Sequence, residues 1–305
     1  MYPLKKILVC LDLSEIDEQL ISYTNLISSI VKAESIDFIH VAKMLDIPAE
    51  IKKEFPELVP SADETIIKRI ESCLETRLDK QLGIDSNIIL REGNPTHKIV
   101  EYTKENDIDL VVVGRKLKLT GTGIIPQKLV RLIPCNILFV PEKSELTISR
   151  IMVPVDFSKK SAYALERALD IARLKDIEIL FQNVYIVPSG YSHTGKSYEE
   201  FADIMKHHAE NDLKKFIGDF DLEGIKHRST YTLDNDTRPA DKIYAIALKE
   251  EASLIVVGAK GKTSAATVLL GSVTEQLANY DSEIPLFIVK DKKDNLSFFE
   301  ALMQV

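Results

Sequence analysis

A glycine-rich segment late in the chain has the residue types and spacing of a phosphate-binding loop. It begins after an apolar run with Gly258-Ala-Lys-Gly261, continues for nine residues, and ends at Gly271-Ser272, where a helical pattern starts. Glycine lets main-chain N–H groups approach a phosphate closely, and Ser272 adds a hydroxyl donor. The positive end of the following helix points at the same place. The segment is therefore predicted to bind an anion.

Two lysines lie within this segment, and other phosphate loops fit the chain less well. Lys260 and Lys262 would neutralise phosphate charge, although exposed loop lysines are more often only solvated. The sequence has no Gly-x-x-x-x-Gly-Lys-Ser/Thr, and the turn Asp156-Phe-Ser-Lys-Lys lacks the glycines of a dinucleotide-binding fold. Both of those alternatives are set aside.

The elements that must position the loop occur twice. Residues 7–14 reappear as residues 151–158, and residues 107–114 reappear as residues 251–258, with an offset of 144 in both cases (151 minus 7 and 251 minus 107). The next matching strand lies about five residues out of this register, so the segment after position 114 or 258 differs in length between the copies. Two matches in one register indicate a duplicated domain.

Within each copy, short β-branched runs alternate with longer segments of helical period, which is typical of a parallel sheet covered by helices on both faces. Strands are predicted at residues 6–11, 35–41, 87–92, 110–113 and 137–140, and again at 150–155, 178–184, 226–232, 254–257 and 286–289. Helices are predicted at residues 15–33, 63–81, 96–106, 127–132, 159–175, 198–216, 239–250 and 272–280. The predicted class is α/β, with five strands in each of two tandem Rossmann-like domains.

The predicted domains are residues 1–143 and 149–290, followed by a C-terminal tail of residues 291–305. Long connections at residues 42–61 and 186–197 each follow the second strand of a domain. Ligands of open α/β sheets bind beyond the carboxyl ends of the strands, so these connections either cover a pocket or are variable surface loops.

Composition narrows the classes of partner. The formal net charge of −8 over 305 residues argues against broad binding to nucleic acid or to anionic lipid. Three widely separated cysteines indicate neither a disulfide framework nor a metal cluster, and no apolar stretch reaches the roughly 18 residues of a membrane span. The apolar run near the start of the chain, which ends before Asp12, is too short for a signal-peptide core. We expect a cytoplasmic protein with no nucleic-acid or membrane partner.

The spacing Gly-x2-Gly-x9-Gly-Ser after an apolar strand resembles the ATP-binding signature of universal stress proteins. Pro154-Val-Asp156 and Pro285-Leu-Phe-Ile-Val also match that family, and the likeness covers nearly all of residues 1–290 as two domains. The resemblance implies parallel strands in the order 3-2-1-4-5 and pairing of domains through their last strands. It also implies stress-response function, with ATP, accompanied by Mg2+, as the bound cofactor.

The same resemblance implies a set of site residues in the second copy. Asp156 would accept hydrogen bonds from the adenosine, Pro154 and Val155 would line its bed, and Val184 would touch the adenine. The residues implied to lie beneath the nucleotide or to hold its ribose-phosphate end are Val257, Gly258, Gly261, Gly271, Ser272 and Val273. Asp156 and Ser158 are also of the types that cap helices, and we expect Asp156 to serve both purposes.

The first copy departs from this pattern. It keeps Asp12 and Gly114, but Leu117 stands at the second glycine, and Gly123 is followed by Ile124 instead of a hydroxyl residue. Eight residues separate Gly114 from Gly123, against twelve between Gly258 and Gly271 (123 minus 114 minus 1, and 271 minus 258 minus 1). The first site is predicted to be empty or altered, although Gly121 and Gly123 leave a weaker anion site open.

Other candidate residues are discounted. His207 and His208 are adjacent on a predicted helix, point in different directions, and are interpreted as surface residues. Cys10 is interpreted as a buried, inert thiol. Asp234, which follows the third strand of the second copy, either faces the cleft or belongs to a capped turn, and the turn is favoured.

The leading hypothesis is an ATP-binding regulatory protein whose nucleotide state alters contacts with an unidentified protein partner or within a homodimer. Two alternatives remain open, a slow ATPase or nucleotide hydrolase and a nucleotide-free interaction scaffold. An efficient NTPase is disfavoured because the sequence offers no evident water-activating base or arginine finger.

Overall fold

A computed structural model describes the chain in two compact units. One unit comprises residues 2–146, and the other comprises residues 147–280 together with the segment that starts at residue 284. The described residues are 2–45, 53–54, 62–116, 125–174, 176–259, 270–280 and 282–292. Among them, no helix combines the length and the apolar character that crossing a membrane requires.

The described residues of each unit form five strands, and the pairs between those strands are all parallel. The strands of the first unit are β1 (Lys6–Leu11), β2 (Ser35–Ala42), β3 (Asp85–Glu92), β4 (Leu110–Arg115) and β5 (Asn136–Pro141). Those of the second are β6 (Arg150–Pro154), β7 (Glu178–Tyr185), β8 (His227–Leu233), β9 (Leu254–Gly258) and β10 (Leu286–Val289). The order is β3-β2-β1-β4-β5 in the first unit and β8-β7-β6-β9-β10 in the second. The predicted α/β class with parallel sheets is confirmed.

Helices connect the strands. They are α1 (Ile16–Val31), α2 (Ala62–Arg77), α3 (Pro95–Glu105), α4 (Ile125–Leu132), α5 (Lys159–Ala172), α6 (Tyr198–Ile217), α7 (Pro239–Lys249) and α8 (Ser272–Asn279). In the second unit α5 packs on β6 and β9, α6 packs on β7 and β8, and α7 contacts α8. In the first unit α1 contacts α2 and α3 contacts α4, as expected if right-handed crossovers put the first two helices of a unit on one face of its sheet and the last two on the other.

The strands form because they are continuous apolar runs that both faces can bury. Every residue of β5 and of β9 is buried, without the alternation of a strand that has one solvated face. The bulkiest buried side chains in the sheets are phenylalanines, Phe38 and Phe139 in the first unit and Phe181 and Phe287 in the second. These strands are therefore covered on both faces, as in a parallel sheet between two layers of helices.

A hydrogen-bonded clasp at the start of the central strands is repeated in the two units. In the first, the Asp109 carboxylate accepts the N–H groups of Lys5 and Lys6, at 3.0 Å each. In the second, the Ser253 hydroxyl oxygen accepts those of Ser149 and Arg150, at 2.9 and 3.0 Å. Different side chains at the same position of the repeat therefore fix the same register, in which Ile7 pairs with Leu110 and Ile151 pairs with Leu254.

A network of charged side chains lies at the amino ends of the strands of the second sheet. Glu178 accepts from Arg150 Nε at 2.5 Å and from Arg228 Nε at 2.9 Å, and Arg228 also pairs with Glu250 at 2.7 Å. Partial burial acts to raise the pKa of Glu178, but the hydrogen bonds and charges of the two arginines outweigh it and lower that pKa below its usual range. The network therefore ties the starts of β6, β7 and β8 to the end of α7.

We expect Glu178→Gln to lower the free energy of unfolding at pH 7 by about 1–3 kcal/mol, because charge-assisted hydrogen bonds to two arginines are lost. A carboxylate whose pKa is depressed in the folded state stabilises above its unfolded pKa of about 4.3 and loses that effect as pH falls. The difference between variant and wild type should therefore narrow below about pH 4. Urea unfolding across pH measures it. The control is Asp176→Asn in the exposed pair with Lys226, for which a change below about 0.5 kcal/mol is expected.

Candidate functional site

An open cavity of about 570 Å³ lies at the carboxyl ends of β6, β7 and β9. It lies entirely within the second unit. Nine of the ten predicted site residues line it: Pro154, Val155, Asp156, Val184, Val257, Gly258, Gly271, Ser272 and Val273. The tenth, Gly261, lies outside the described residues, as do Lys260 and Lys262. The topology therefore brings residues from four separate segments of sequence to one place.

The turn between β6 and α5 forms one wall of the cavity. Asp156 Oδ1 accepts the Ser158 N–H at 3.1 Å and the Ser161 hydroxyl, while Ser158 caps α5 by accepting the Ser161 N–H at 3.2 Å. The capping role predicted for the pair thus falls to Ser158, and Asp156 braces the turn. Phe157 has a left-handed backbone, with φ +62°, and its ring meets that of Phe216 edge to face at 5.9 Å. Such a backbone costs about 1–2 kcal/mol, and the aromatic contact with α6 offsets part of it.

Gly258 is required by packing. A Cβ atom at this position would lie 2.5 Å from the carbonyl oxygen of Lys160 in the first turn of α5. The end of β9 can approach α5 this closely only because the residue has no side chain. This glycine is therefore explained by the fold, whether or not a ligand passes over it.

The ends of the glycine-rich segment are held together beside the cavity. The Gly271 N–H donates to the carbonyl of Ala259 at 2.8 Å, and the Thr274 hydroxyl donates to the carbonyl of Gly258 at 2.8 Å. Helix α8 then starts at Ser272, with Gly271 as an N-cap that supplies no side-chain acceptor. The residues of its first turn line the cavity, so the positive end of the helix opens on it.

Two further lining residues on β7 were missed by the sequence interpretation. Gln182 and Asn183 both line the cavity, and both are buried. Asn183 Nδ2 donates to the carbonyl of Val155 at 2.8 Å, which joins β7 to the end of β6. Two consecutive amides within a largely apolar strand were the signal in the sequence that could have identified these residues as candidates for the site.

One face of α6 completes the lining of the cavity. Met205, His208, Ala209 and Asp212 line the cavity at helical spacing, and His208 Nδ1 lies 3.0 Å from Asp212 Oδ2. The His208 side chain is 68% exposed, so it is a surface residue, as predicted, but one at the rim of the cavity. At the start of the preceding connection, Ile186 also lines the cavity.

Acidic groups dominate the charge of the described lining. Asp156, Asp212 and Asp234 contribute carboxylates, and the described lining residues include no lysine or arginine. Asp234 accepts the N–H groups of Asp236 and Arg238, at 3.3 and 3.1 Å, so it both faces the cavity and braces the turn into α7. Carboxylates held in this way accept hydrogen bonds from hydroxyl or amino groups of a ligand, whereas an anionic group is favoured only at the α8 end.

The corresponding turn of the first unit differs in charge. Asp12 pairs with Lys116 at 2.6 Å; burial opposes its ionisation, but the hydrogen bonds from Lys116 and Ser14 lower the pKa of Asp12. Asp17 stands at the position of Ser161 (161 minus 144) and accepts the N–H groups of Asp12 and Leu13, at 3.2 and 2.8 Å. Burial raises the pKa of Asp17 to about 6. This turn therefore carries two carboxylates where the second unit has one.

Leu117 and Ile124, which were predicted to weaken the first site, lie outside the described residues. So do Gly121 and Gly123, which were predicted to leave a weaker anion site open. Cys10, at the end of β1, is described. It is half-buried rather than buried, and desolvation raises the pKa of its thiol, which favours the unreactive protonated form.

Comparison with known proteins gives one consistent result. The model of the universal stress protein family matches residues 3–141 and 147–290. Universal stress protein MJ0531 of Methanocaldococcus jannaschii is 32% identical over 148 residues, which are 47% of this chain and 83% of the relative. Universal stress protein MJ0577 of the same organism is 27% identical over 158 residues, covering 47% and 95%. The solved structure of a universal stress protein from Archaeoglobus fulgidus has a TM-score of 0.64 at 19% identity, covers 95% of this chain and 99% of its own, and shows the same fold.

We expect Gly258→Ala to destabilise the ligand-free protein by about 1–3 kcal/mol, because the new methyl group must displace the first turn of α5. Urea unfolding followed by circular dichroism measures the change. Gly190→Ala in the same unit is the matched control, since a Cβ there meets nothing within 4 Å. Equal unfolding midpoints for the two variants would show that packing does not require this glycine.

We expect Asp17→Ser, which installs the residue of the second repeat, to remove a pH dependence of the stability of the first unit. A carboxyl group whose pKa is raised in the folded state stabilises at low pH and loses that effect as pH rises from about 4 through about 6. As this group ionises over that pH range, the free energy of unfolding of wild type should fall by about 2–3 kcal/mol, and that of the variant should not. Hydrogen-exchange protection of β1 and α1, measured in the full chain, reports the difference, and parallel pH profiles would contradict the assignment.

Proposed function

The chain belongs to the universal stress protein family, and on that premise we propose that its second domain binds ATP and acts as a nucleotide-dependent regulator in the stress response. The observation that carries the proposal is the cavity into which the N-terminus of α8 opens, between Gly258 and Ser272. Its volume of about 570 Å³ lies in the range of about 300–1,000 Å³ that small-molecule sites have.

The described residues fit a nucleotide from one end to the other. The uncapped N–H groups at the start of α8 and the Ser272 hydroxyl suit the phosphates, because both donate hydrogen bonds to anions. Asp156, fixed by its hydrogen bonds in the turn, suits the ribose hydroxyls as an acceptor. Val155 and Val184 supply apolar surface to the base.

Magnesium is proposed only as the ion that accompanies the phosphates of ATP. Within the described part of the chain, no group of three His, Cys, Asp or Glu side chains is arranged to hold a metal ion. The first domain is proposed to lack this nucleotide site, since its turn places the Asp17 carboxylate where the second domain has a serine. Self-association and a cytoplasmic location stay predictions.

Calorimetric titration of the full chain with ATP and Mg2+ tests the proposal. We expect one site per chain, and at least tenfold weaker binding in Ser272→Glu, because a carboxylate at the start of α8 repels the phosphates. An acidic residue in the first turn favours a helix, so this variant should keep its fold. Gln276→Glu makes the same change of charge at an exposed position of α8 and should bind within about twofold of wild type.

Each alternative has its own outcome in the same experiment. No ATP binding by wild type that is also free of nucleotide when purified would reject the proposal and favour the interaction scaffold. Steady release of phosphate or AMP above background would favour the hydrolase.

A further inference from the structure

A hydroxyl group in the first turn of α8 fastens this helix to the end of β9. Thr274 Oγ1 donates to the main-chain carbonyl of Gly258 at 2.8 Å, and only 3% of the residue is exposed. Beside it, the Gly271 N–H donates to the carbonyl of Ala259 at 2.8 Å. We call these two hydrogen bonds the α8 tether. The tether joins the two ends of the glycine-rich segment.

The tether fixes the part of α8 that faces the cavity. The first hydrogen bond of the helix runs from the Glu275 N–H to the Gly271 carbonyl, at 2.9 Å. The N–H groups of residues 272–274 come before it and have no acceptor within the helix, and all three residues line the cavity. A donor favours an anion only over a short range of distance and angle. The position of this turn therefore decides how well it binds a phosphate.

The first unit builds the corresponding helix without this hydroxyl. The offset of 148 between the third glycines of the two segments (271 minus 123) pairs the buried Leu129 of α4 with the buried Leu277 of α8. The same offset places Pro126 at the position of Thr274 (274 minus 148), and proline has no hydroxyl group. The repeat thus forms a helix here without this bond, and the bond occurs in the unit that has the complete glycine and serine signature.

The Thr274 hydroxyl acts on an anionic ligand only indirectly. A threonine hydroxyl carries one proton, and the Gly258 carbonyl, which accepts but cannot donate, takes it. The hydroxyl oxygen then offers only lone pairs, which repel a phosphate. Its contribution is therefore to the position of the N–H groups around it.

We propose that Thr274 is a positioning residue, which holds the start of α8 where its N–H groups bind the phosphates of the nucleotide. The inference rests on the proposed function. It assigns the affinity for the phosphate end to the tether and leaves the nucleoside end, at the Asp156 turn and β7, independent of it. A turn that occupies the binding position for about one tenth of the time binds about tenfold more weakly.

Calorimetric titration of the full chain with ATP and Mg2+ and, separately, with adenosine tests this role. Thr274→Val keeps the branched shape of the side chain but removes the hydroxyl, and should weaken ATP binding about tenfold, or about 1.4 kcal/mol. Adenosine has no phosphate, so its affinity should stay within about twofold of wild type. Unchanged ATP affinity, or an equal loss for both ligands, would overturn the role of Thr274.

Two further variants separate the hydrogen bond from other effects. Thr274→Ser keeps the hydroxyl and should bind ATP within about threefold of wild type. A loss as large as that of Thr274→Val would assign the effect to the methyl group and overturn the inference. Thr194→Val removes an exposed hydroxyl that also donates to a main-chain carbonyl, that of Tyr191 at 2.6 Å, and should leave both affinities unchanged. Failure of wild type to bind ATP would instead reject the proposed function.

A second measurement needs neither a variant nor a ligand. Because the tether is closed in the free protein, the Gly271 amide should exchange its hydrogen with solvent at least about tenfold more slowly than in an unstructured peptide. Exchange at the unprotected rate would show that the start of α8 is not held in place. That result would overturn the inference even where wild type binds ATP.

Discussion

The end of β9 packs directly on the first turn of α5, and the arrangement of the cavity depends on this contact. A side chain at Gly258 would overlap the Lys160 carbonyl, so the two main chains meet without one. The contact holds the Asp156 turn beside the end of β9. The start of α8 is joined to the same strand end, because the Thr274 hydroxyl donates a hydrogen bond to the Gly258 carbonyl. A parallel sheet brings strand carboxyl ends together, but only this close approach leaves the turn and the helix terminus around one cavity.

The two units obtain the same frame from different side chains. Asp109 and Ser253 accept equivalent pairs of N–H groups at the starts of the central strands. Leu13 and Phe157 both have left-handed backbones, with φ of +61° and +62°. The strained turn is thus a property of the repeat and arises wherever this strand passes into this helix. The chemistry at the turn differs, because Asp17 in one unit and Ser161 in the other give it different charge.

Polarity divides the cavity of the second unit into two ends. At the α8 end, main-chain N–H groups of an uncapped helix favour an anion. At the β7 end, the Asp234 carboxylate is an acceptor and favours a neutral group that donates hydrogen bonds.

Local pattern in the sequence was enough to predict the strands and the repeat, because apolar runs report directly on backbone conformation. Asp156 and Gly271, which the sequence predicts as site residues, both line the cavity, since they lie at strand or helix ends that the pattern locates. It did not reveal Gln182, His208 or Asp212. Which face of β7 meets α7, and which face of α6 meets the cavity, depends on contacts between residues far apart in the chain. Only the tertiary structure decides them, because the packing of the helices on the sheet determines which side chains are buried between layers and which line the cavity.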